Sequence, residues 1–343
     1  MTVIALDGMG GDFSPRVPVE AALRAVSRPG LRVILVGDTP LLQEQLSRHG
    51  PLPEAVSIVH ASQSVHMDES PAATLRGKEN SSLRVAMELV AGGRAQAVVS
   101  AGHSGAMMVA AKHVLGSLPA IQRPAVATVL PLRRGGSLLL DCGANVDCKP
   151  AYLLEFARMG HVYAQTVMGL AQPRIALLNI GTEPGKGNRL TLQAADLLDS
   201  SGLRFVGSVE GRDLFRGKAD VIVTDGFVGN LVLKTAESAA NQVRALQREA
   251  ASGLWGRLAY WMLKSPFKEV DRRTHYREVG GSHLLGLRGI AVVCHGASNS
   301  ATLENAIVEA AKSVEFNLTE KLAQAFGADP ANPGTKAGAS GPQ

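Results

Sequence analysis

The sequence predicts a three-layer α/β/α protein with mostly parallel sheets, on three grounds. Short runs of apolar, largely β-branched residues recur along the chain, each followed by a Gly-rich polar turn and then a helical pattern. The runs are continuously apolar rather than alternating, which is the pattern of strands buried on both faces beneath crossover helices. Glycine is abundant, at 37 of 343 residues, while aromatics make up only 4%, as suits a chain with many tight strand-to-helix turns.

In chain order, Val3-Ile4-Ala5-Leu6 runs into Asp7 and GMGGD, and Val33-Ile34-Leu35-Val36 into Gly37-Asp38. Ala97-Val98-Val99 precedes SAGHSGA, and Leu138-Leu139-Leu140 precedes DCGAN. Ile175-Ala176-Leu177-Leu178 enters NIGTEPGKGN, Val221-Ile222-Val223 enters TDGFVGN, and Ile290-Ala291-Val292-Val293 enters CHGASN. Helical patterns fill 15–27, 81–91, 104–115, 151–168, 230–249 and 299–325, with Ser81 and Asn299 as N-caps. No clear strand shows between 250 and 285, and no internal repeat is present. The Pro/Gly/Ala/Ser-rich tail, 327–343, is expected to be disordered.

Composition narrows the function classes. A chain with 45% hydrophobic and 19% charged residues is an ordinary globular one, long enough for about two domains. Three cysteines at non-metal spacings point to a reducing compartment, with no disulfide framework and no metal site. MTVIALDG enters a strand pattern without a charged leader, so no signal peptide is expected, and no run approaches the ~20 apolar residues of a membrane span. The net charge of +5 comes without a Lys/Arg block, so nucleic acid is not the expected partner.

Ligands of parallel sheets bind outside the carboxyl ends of the strands, so these turns should form a polar rim. Nucleotide motifs fail there: GMGGDF carries Phe13 where a dinucleotide fingerprint needs its third Gly. GTEPGKG is one residue short of a P-loop and has Gly187 where Ser or Thr should be. No cofactor is therefore expected. Glycine turns opening onto helix N-termini instead suit a small anion such as phosphate. A second reading is an α/β serine hydrolase acting on acyl esters. Gly102-His103-Ser104-Gly105-Ala106 is similar to a nucleophile elbow, and Ser104, Asp225 and His295 follow in hydrolase order. Ala106 in place of the last Gly and the lack of an HGGG loop count against it.

Taken together, LDGMGGD (6–12), SAGHSGA (100–106), DCGAN (141–145), LNIGTEPGKG (178–187), ADVIVTDGFVGN with LVLKT (219–235), and LLGLRG followed by HGASN (284–299) resemble the bacterial phosphate acyltransferase family. That family comprises the acyl-[acyl-carrier-protein]:phosphate transacylases of phospholipid synthesis. The resemblance implies a two-domain fold with a cleft, like that of isocitrate and isopropylmalate dehydrogenases, and a homodimer. It implies transfer of a long-chain fatty acyl group from acyl-carrier protein to inorganic phosphate, giving acyl-phosphate. The family often has Asn-Thr where this chain has His103-Ser104, which argues against a serine nucleophile.

With that chemistry, four side chains become catalytic candidates. Lys186 supplies charge to phosphate, Asp225 orients it or takes its proton, Asn230 donates to the thioester oxyanion, and His295 protonates the leaving sulfur. Asp7, Gly10, Gly11, Ser100, Gly102, Asn145, Asn179, Gly181 and Gly229 are expected to line the substrate and phosphate sites.

The strand 289–295 and its helix are expected to return to the N-terminal domain. This gives one domain of 1–118 with 286–326 and a second of 119–285, which includes an amphipathic segment at 250–270. In that segment Trp255, Leu258, Trp261 and Met262 share a helical face flanked by basic residues, the pattern of an interfacial helix on an anionic membrane. The expected localisation is cytoplasmic, peripheral to the inner face of the cell membrane, where a membrane glycerol-phosphate acyltransferase would consume the product. Arg272, Arg273 and Arg277, in a chain of pI near 9.2, are expected to dock the acidic carrier protein.

Overall fold

The computed structural model describes residues 1–66, 68–71, 77–132, 135–250, 262 and 280–327, the side chains of 248 and 250 excepted. Among these residues eleven strands form one sheet, in the order β3-β2-β1-β4-β11-β10-β5-β6-β9-β7-β8. The strands are β1 (Thr2–Asp7), β2 (Leu31–Gly37), β3 (Val56–His60), β4 (Ala97–Ser100), β5 (Ala125–Pro131), β6 (Gly136–Leu140), β7 (Ile175–Leu178), β8 (Phe205–Val209), β9 (Val221–Val223), β10 (Ser282–Leu285) and β11 (Ile290–Val293). The helices that position the site are α1 (Arg16–Ala25), α2 (Thr39–Ser47), α3 (Ser82–Ala91), α4 (Ser104–Val114), α5 (Pro150–Thr166), α6 (Arg189–Asp199), α7 (Gly226–Ala250), α8 (Ser300–Glu315) and α9 (Leu318–Ala325).

Pairing divides the sheet into two parallel halves. β3, β2, β1, β4 and β11 run one way, and β6, β9, β7 and β8 run parallel to one another. β10 and β5 join them through three antiparallel pairings, β11–β10, β10–β5 and β5–β6. The two halves therefore run in opposite directions. Along this neck Val292, His283, Ala127 and Leu140 share one level. β11 ends one residue beyond that level and β6 ends at it. The polar rims of the two halves thus meet at the neck, although their strands point oppositely.

Each half is covered on both faces, as continuously apolar strands require. Ile4 and Leu6 of β1 enter one core with α1 and α8, while Ala5 enters another with α3 and α4. Leu138 and Leu140 pack beneath α5, and Leu139 packs on the opposite face. All three leucines are fully buried, each contributing about 1.5–3 kcal/mol.

Strand β11 lies beside β4, and α8 packs in the core of the first half. The helical pattern read through 299–325 is broken at Asn317, which sits in the left-handed region at φ 53°. Beyond the break α9 turns to the other half, where Leu318, Leu322 and Ala323 join the core under α5. The N-caps sit at Ser81 and Asn299, which accept from Arg84 N and Thr302 N.

Candidate active site at the neck of the sheet

The neck separates two cavities because side chains alternate across a strand. Val126, Thr128 and Ser282 face a cavity of about 440 Å³, whereas Ala127, Val129 and His283 face one of about 510 Å³ on the other side. The smaller cavity is the cleft between the halves. From the first half it takes Ser104, Gly105 and Met108 of α4, with His295 and Ser298 after β11. From the second it takes Cys142 and Gly143 after β6, and Asn230, Leu233, Lys234 and Glu237 of α7. Those four α7 positions are spaced i, i+3, i+4 and i+7, so one face of the helix looks into the cleft.

The rim loops are held by carboxylates. Asp7 is buried; its Oδ2 accepts from Ser100 Oγ at 2.7 Å and its Oδ1 from Met9 N at 3.2 Å. Ser100 Oγ in turn accepts from Gly102 N at 3.0 Å. A Cβ on Gly10 would lie 2.5 Å from Asp7 Oδ2 and 2.9 Å from Gly102 N, so only glycine lets the two loops close on each other. Asp12 N donates to Gly296 O at 2.9 Å, tying the β1 loop to the one after β11. A Cβ on Gly11 would approach Gly296 O at 3.2 Å.

Asp141 plays the same part after β6. Its carboxylate accepts from Val126 N (2.9 Å), Gly143 N (3.2 Å), Ala144 N (3.0 Å), Asn145 N (2.7 Å) and Asn145 Nδ2 (2.9 Å). The second Asn145 Nδ2 bond goes to Pro124 O, and Asn145 O accepts from Gly226 N. A Cβ on Gly229 would sit 1.8 Å from Asp141 O; this glycine lets α7 lie on the DCGAN turn and carry Asn230 to the cleft. Burial raises the Asp7 and Asp141 carboxyls above their ordinary value, against the hydrogen bonds each accepts.

Of the catalytic candidates, Asn230 and His295 line the cleft. His295 Nδ1 accepts from Ala297 N at 3.1 Å, which leaves Nε2–H as the donor. Asp225 does not line it. Its Oδ1 caps α7 by accepting from Val228 N at 2.9 Å, and it borders a shallow cavity together with Asp147. Lys186 is exposed in the turn after β7, which lies beyond β9 from the neck. That turn closes on itself through Asn179 Nδ2 to Lys186 O (2.8 Å) and Ile180 N to Asn179 Oδ1 (2.9 Å), with Gly181 packed on the Lys186 stem. Asp7, Gly10, Gly11, Ser100, Gly102, Asn145 and Gly229 support the cleft without lining it.

The serine hydrolase triad is not assembled. Ser104 and His295 share the cleft, but His295 Nδ1 meets a backbone N–H where a triad needs a carboxylate, and Asp225 lies outside the cleft. The thiols of Cys142 and Cys294 line it, but burial pushes both up to about 12, so neither is an activated nucleophile. Arg272, Arg273, Arg277, Trp255, Leu258 and Trp261 lie outside the described residues; Met262 is exposed. Among the described residues no group of three His, Cys, Asp or Glu could hold a metal, and no helix is long and apolar enough to cross a membrane.

Reading by turns missed Lys234 and Ser298. Lys234 stands one helical turn beyond Asn230, a spacing that signals a shared face; Ser298 carried no signal beyond its place in HGASN.

The open, mostly parallel α/β fold is similar to that of a phosphotransacetylase from Streptococcus pyogenes, matched with a TM-score of 0.61 at 17% identity over 92% of this chain and 94% of that one. The chain is 45% identical over 95% of both lengths to a phosphate acyltransferase of Nitratidesulfovibrio vulgaris. It is 47% identical to one of Pelotomaculum thermopropionicum, over 93% of both. The protein is an enzyme of the acyltransferase class. It belongs to the family described as fatty acid synthesis protein, which matches residues 2–321.

Proposed function

We propose that the enzyme transfers a long-chain fatty acyl group from the thioester of acyl-carrier protein to inorganic phosphate, in the neck cleft, giving acyl-phosphate for phospholipid synthesis. The observation that carries this reading is the convergence of Asn230, Lys234 and His295 on one cleft between the halves, in a chain whose relatives are named phosphate acyltransferase. A phosphate oxygen attacks the thioester carbon, and the carbonyl oxygen becomes an oxyanion that accepts from the Asn230 amide. The C–S bond then breaks. His295 Nε2–H hydrogen-bonds the departing sulfur, and the proton lost by the phosphate hydroxyl ends on that sulfur, so hydrogenphosphate and thioester become acyl-phosphate and free thiol. Lys234 supplies the positive charge first sought at Lys186. A thiolate leaves readily, so positioning and oxyanion stabilisation suffice without a covalent intermediate. The shallow cavity beside Asp225 is a poorer phosphate site, because Asp147 and Asp225 both border it.

The 25-residue α7 leaves Leu231, Val243 and Leu246 more than half exposed, which supports a homodimer in which a second copy covers this helix. Arg272, Arg273 and Arg277 would dock the carrier protein. Trp255, Leu258, Trp261 and Met262 would rest reversibly on anionic lipid, delivering product to a membrane glycerol-phosphate acyltransferase.

The test is acyl-phosphate formation from purified acyl-carrier-protein thioester and phosphate. Phosphate-dependent release of free carrier protein is expected. Phosphate-independent hydrolysis, with fluorophosphonate labelling of Ser104, would return the hydrolase reading. For the membrane contact, Trp255→Ala with Trp261→Ala should weaken vesicle binding while the dimer survives; loss of the dimer would place that segment in the interior.

A further inference from the structure

We propose that inorganic phosphate binds at the end of the cleft where the first turn of α4 meets the segment entering α8, held by the backbone N–H groups of Ser104 and Gly105 and by the Ser298 hydroxyl. The identity of the anion rests on the phosphate transfer proposed above.

Ser298 is the unusual residue. It lines the cleft at 2% exposure, and among the described residues its Oγ has no hydrogen-bond partner. Buried hydroxyls are normally paired, and an unpaired one calls for an explanation such as an absent ligand. Among the buried or half-buried hydroxyls of the cleft, three are engaged: Thr128 Oγ1 with Ser282 Oγ at 2.6 Å, and Thr302 Oγ1 with Asn299 Oδ1 at 3.0 Å.

The α4 terminus supplies two further open donors. His103 caps this 11-residue helix, its Nδ1 accepting from Ala106 N at 3.2 Å and its carbonyl from Met107 N at 2.9 Å. The N–H groups of Ser104 and Gly105 have no acceptor among the described residues. Both residues line the cleft with Ser298. Open amides at a positive helix end and an unpaired hydroxyl lining the same cleft suit an anion. The one carboxylate among the described lining residues, Glu237, sits on α7 two turns beyond Asn230. Phosphate on the α4 side would then face a thioester carbonyl on the Asn230 side, the arrangement that attack requires.

The experiment titrates inorganic phosphate into the full-length enzyme, following thermal stability and phosphorus NMR, and measures KM for phosphate and for the thioester. Ser298→Ala should raise the phosphate dissociation constant about tenfold, about 1.4 kcal/mol, and leave the thioester KM unchanged. Without phosphate its melting temperature should not fall, because no protein hydrogen bond is lost. Ser298→Asp places a carboxylate at the site and should abolish stabilisation by phosphate. The proposal is overturned if both variants bind phosphate like the wild type, or if Ser298→Ala changes only the thioester KM, which would give the hydroxyl to the carrier arm. Wild-type enzyme that binds phosphate through Ser298 but makes no acyl-phosphate would leave this site standing and remove the transfer reading. Acyl-phosphate formation with a phosphate KM indifferent to both variants would do the reverse.

Discussion

The turn after β6 and the turn opening α4 have the same outward composition, glycine with small polar residues at the end of a buried strand, yet they use their amides in opposite ways. After β6, the Asp141 carboxylate draws in the N–H groups of Gly143, Ala144 and Asn145, and nothing is left for a ligand. At α4, the His103 imidazole takes one side-chain hydrogen bond, from Ala106 N, and the two preceding amides stay open. A carboxylate can accept several hydrogen bonds, whereas an imidazole nitrogen accepts one. The capping residue therefore decides whether a glycine turn is scaffold or binding surface. Asp141 builds the wall that carries Asn230, and His103 leaves the opposite wall unsatisfied.

Asp141→Ala leaves five donors without their acceptor and should cost about 3–5 kcal/mol of stability, read as a lowered urea midpoint. A loss below about 1 kcal/mol would show that the turn holds itself without the carboxylate.

A pH series sharpens the same point. Burial raises Asp7 and Asp141 above the ordinary 3.8, so folding favours their protonated forms. Their contribution is complete below pH 3.8 and is lost as pH rises through the raised folded values. The stability of the wild type relative to Asp141→Asn should therefore grow as the pH is lowered from about 7 towards about 4. Urea unfolding of both proteins across that range measures it, and a shrinking difference would mean that the bound amides outweigh desolvation.

The smallest effect belongs to the open turn. His103→Ala removes one cap and should cost about 1 kcal/mol, seen as a modest drop in melting temperature. A cost equal to that of Asp141→Ala would erase the distinction between the two turns.

What the sequence made legible follows from burial. β1, β2, β4, β6, β7, β9 and β11 stood out because they are apolar on both faces. β3 and β8 lie at the sheet edges with partly exposed residues, and they lack that signature. β5 and β10 were missed because Thr128, Ser282 and His283 face the two cavities of the neck, and their polarity interrupts the apolar run. Asn230 and His295 could be proposed from turns that follow strands. Lys186 and Asp225 had equal claims in one dimension; the strand order, which puts β9 and β7 beyond β6 from the neck, sets their turns apart from the cleft. Ser298 became notable through what its hydroxyl does not touch, which no spacing rule reports.

The most direct test of the neck cleft as the active site is the rate of acyl-phosphate formation by Asn230→Ala beside Lys186→Ala, each confirmed folded by its melting temperature. If the oxyanion forms in the cleft, Asn230→Ala should lose about 10²–10³-fold in kcat, and Lys186→Ala should stay within about threefold of the wild type. A collapse of activity in Lys186→Ala with Asn230→Ala near the wild-type rate would contradict it, and would move the chemistry to the rim after β7.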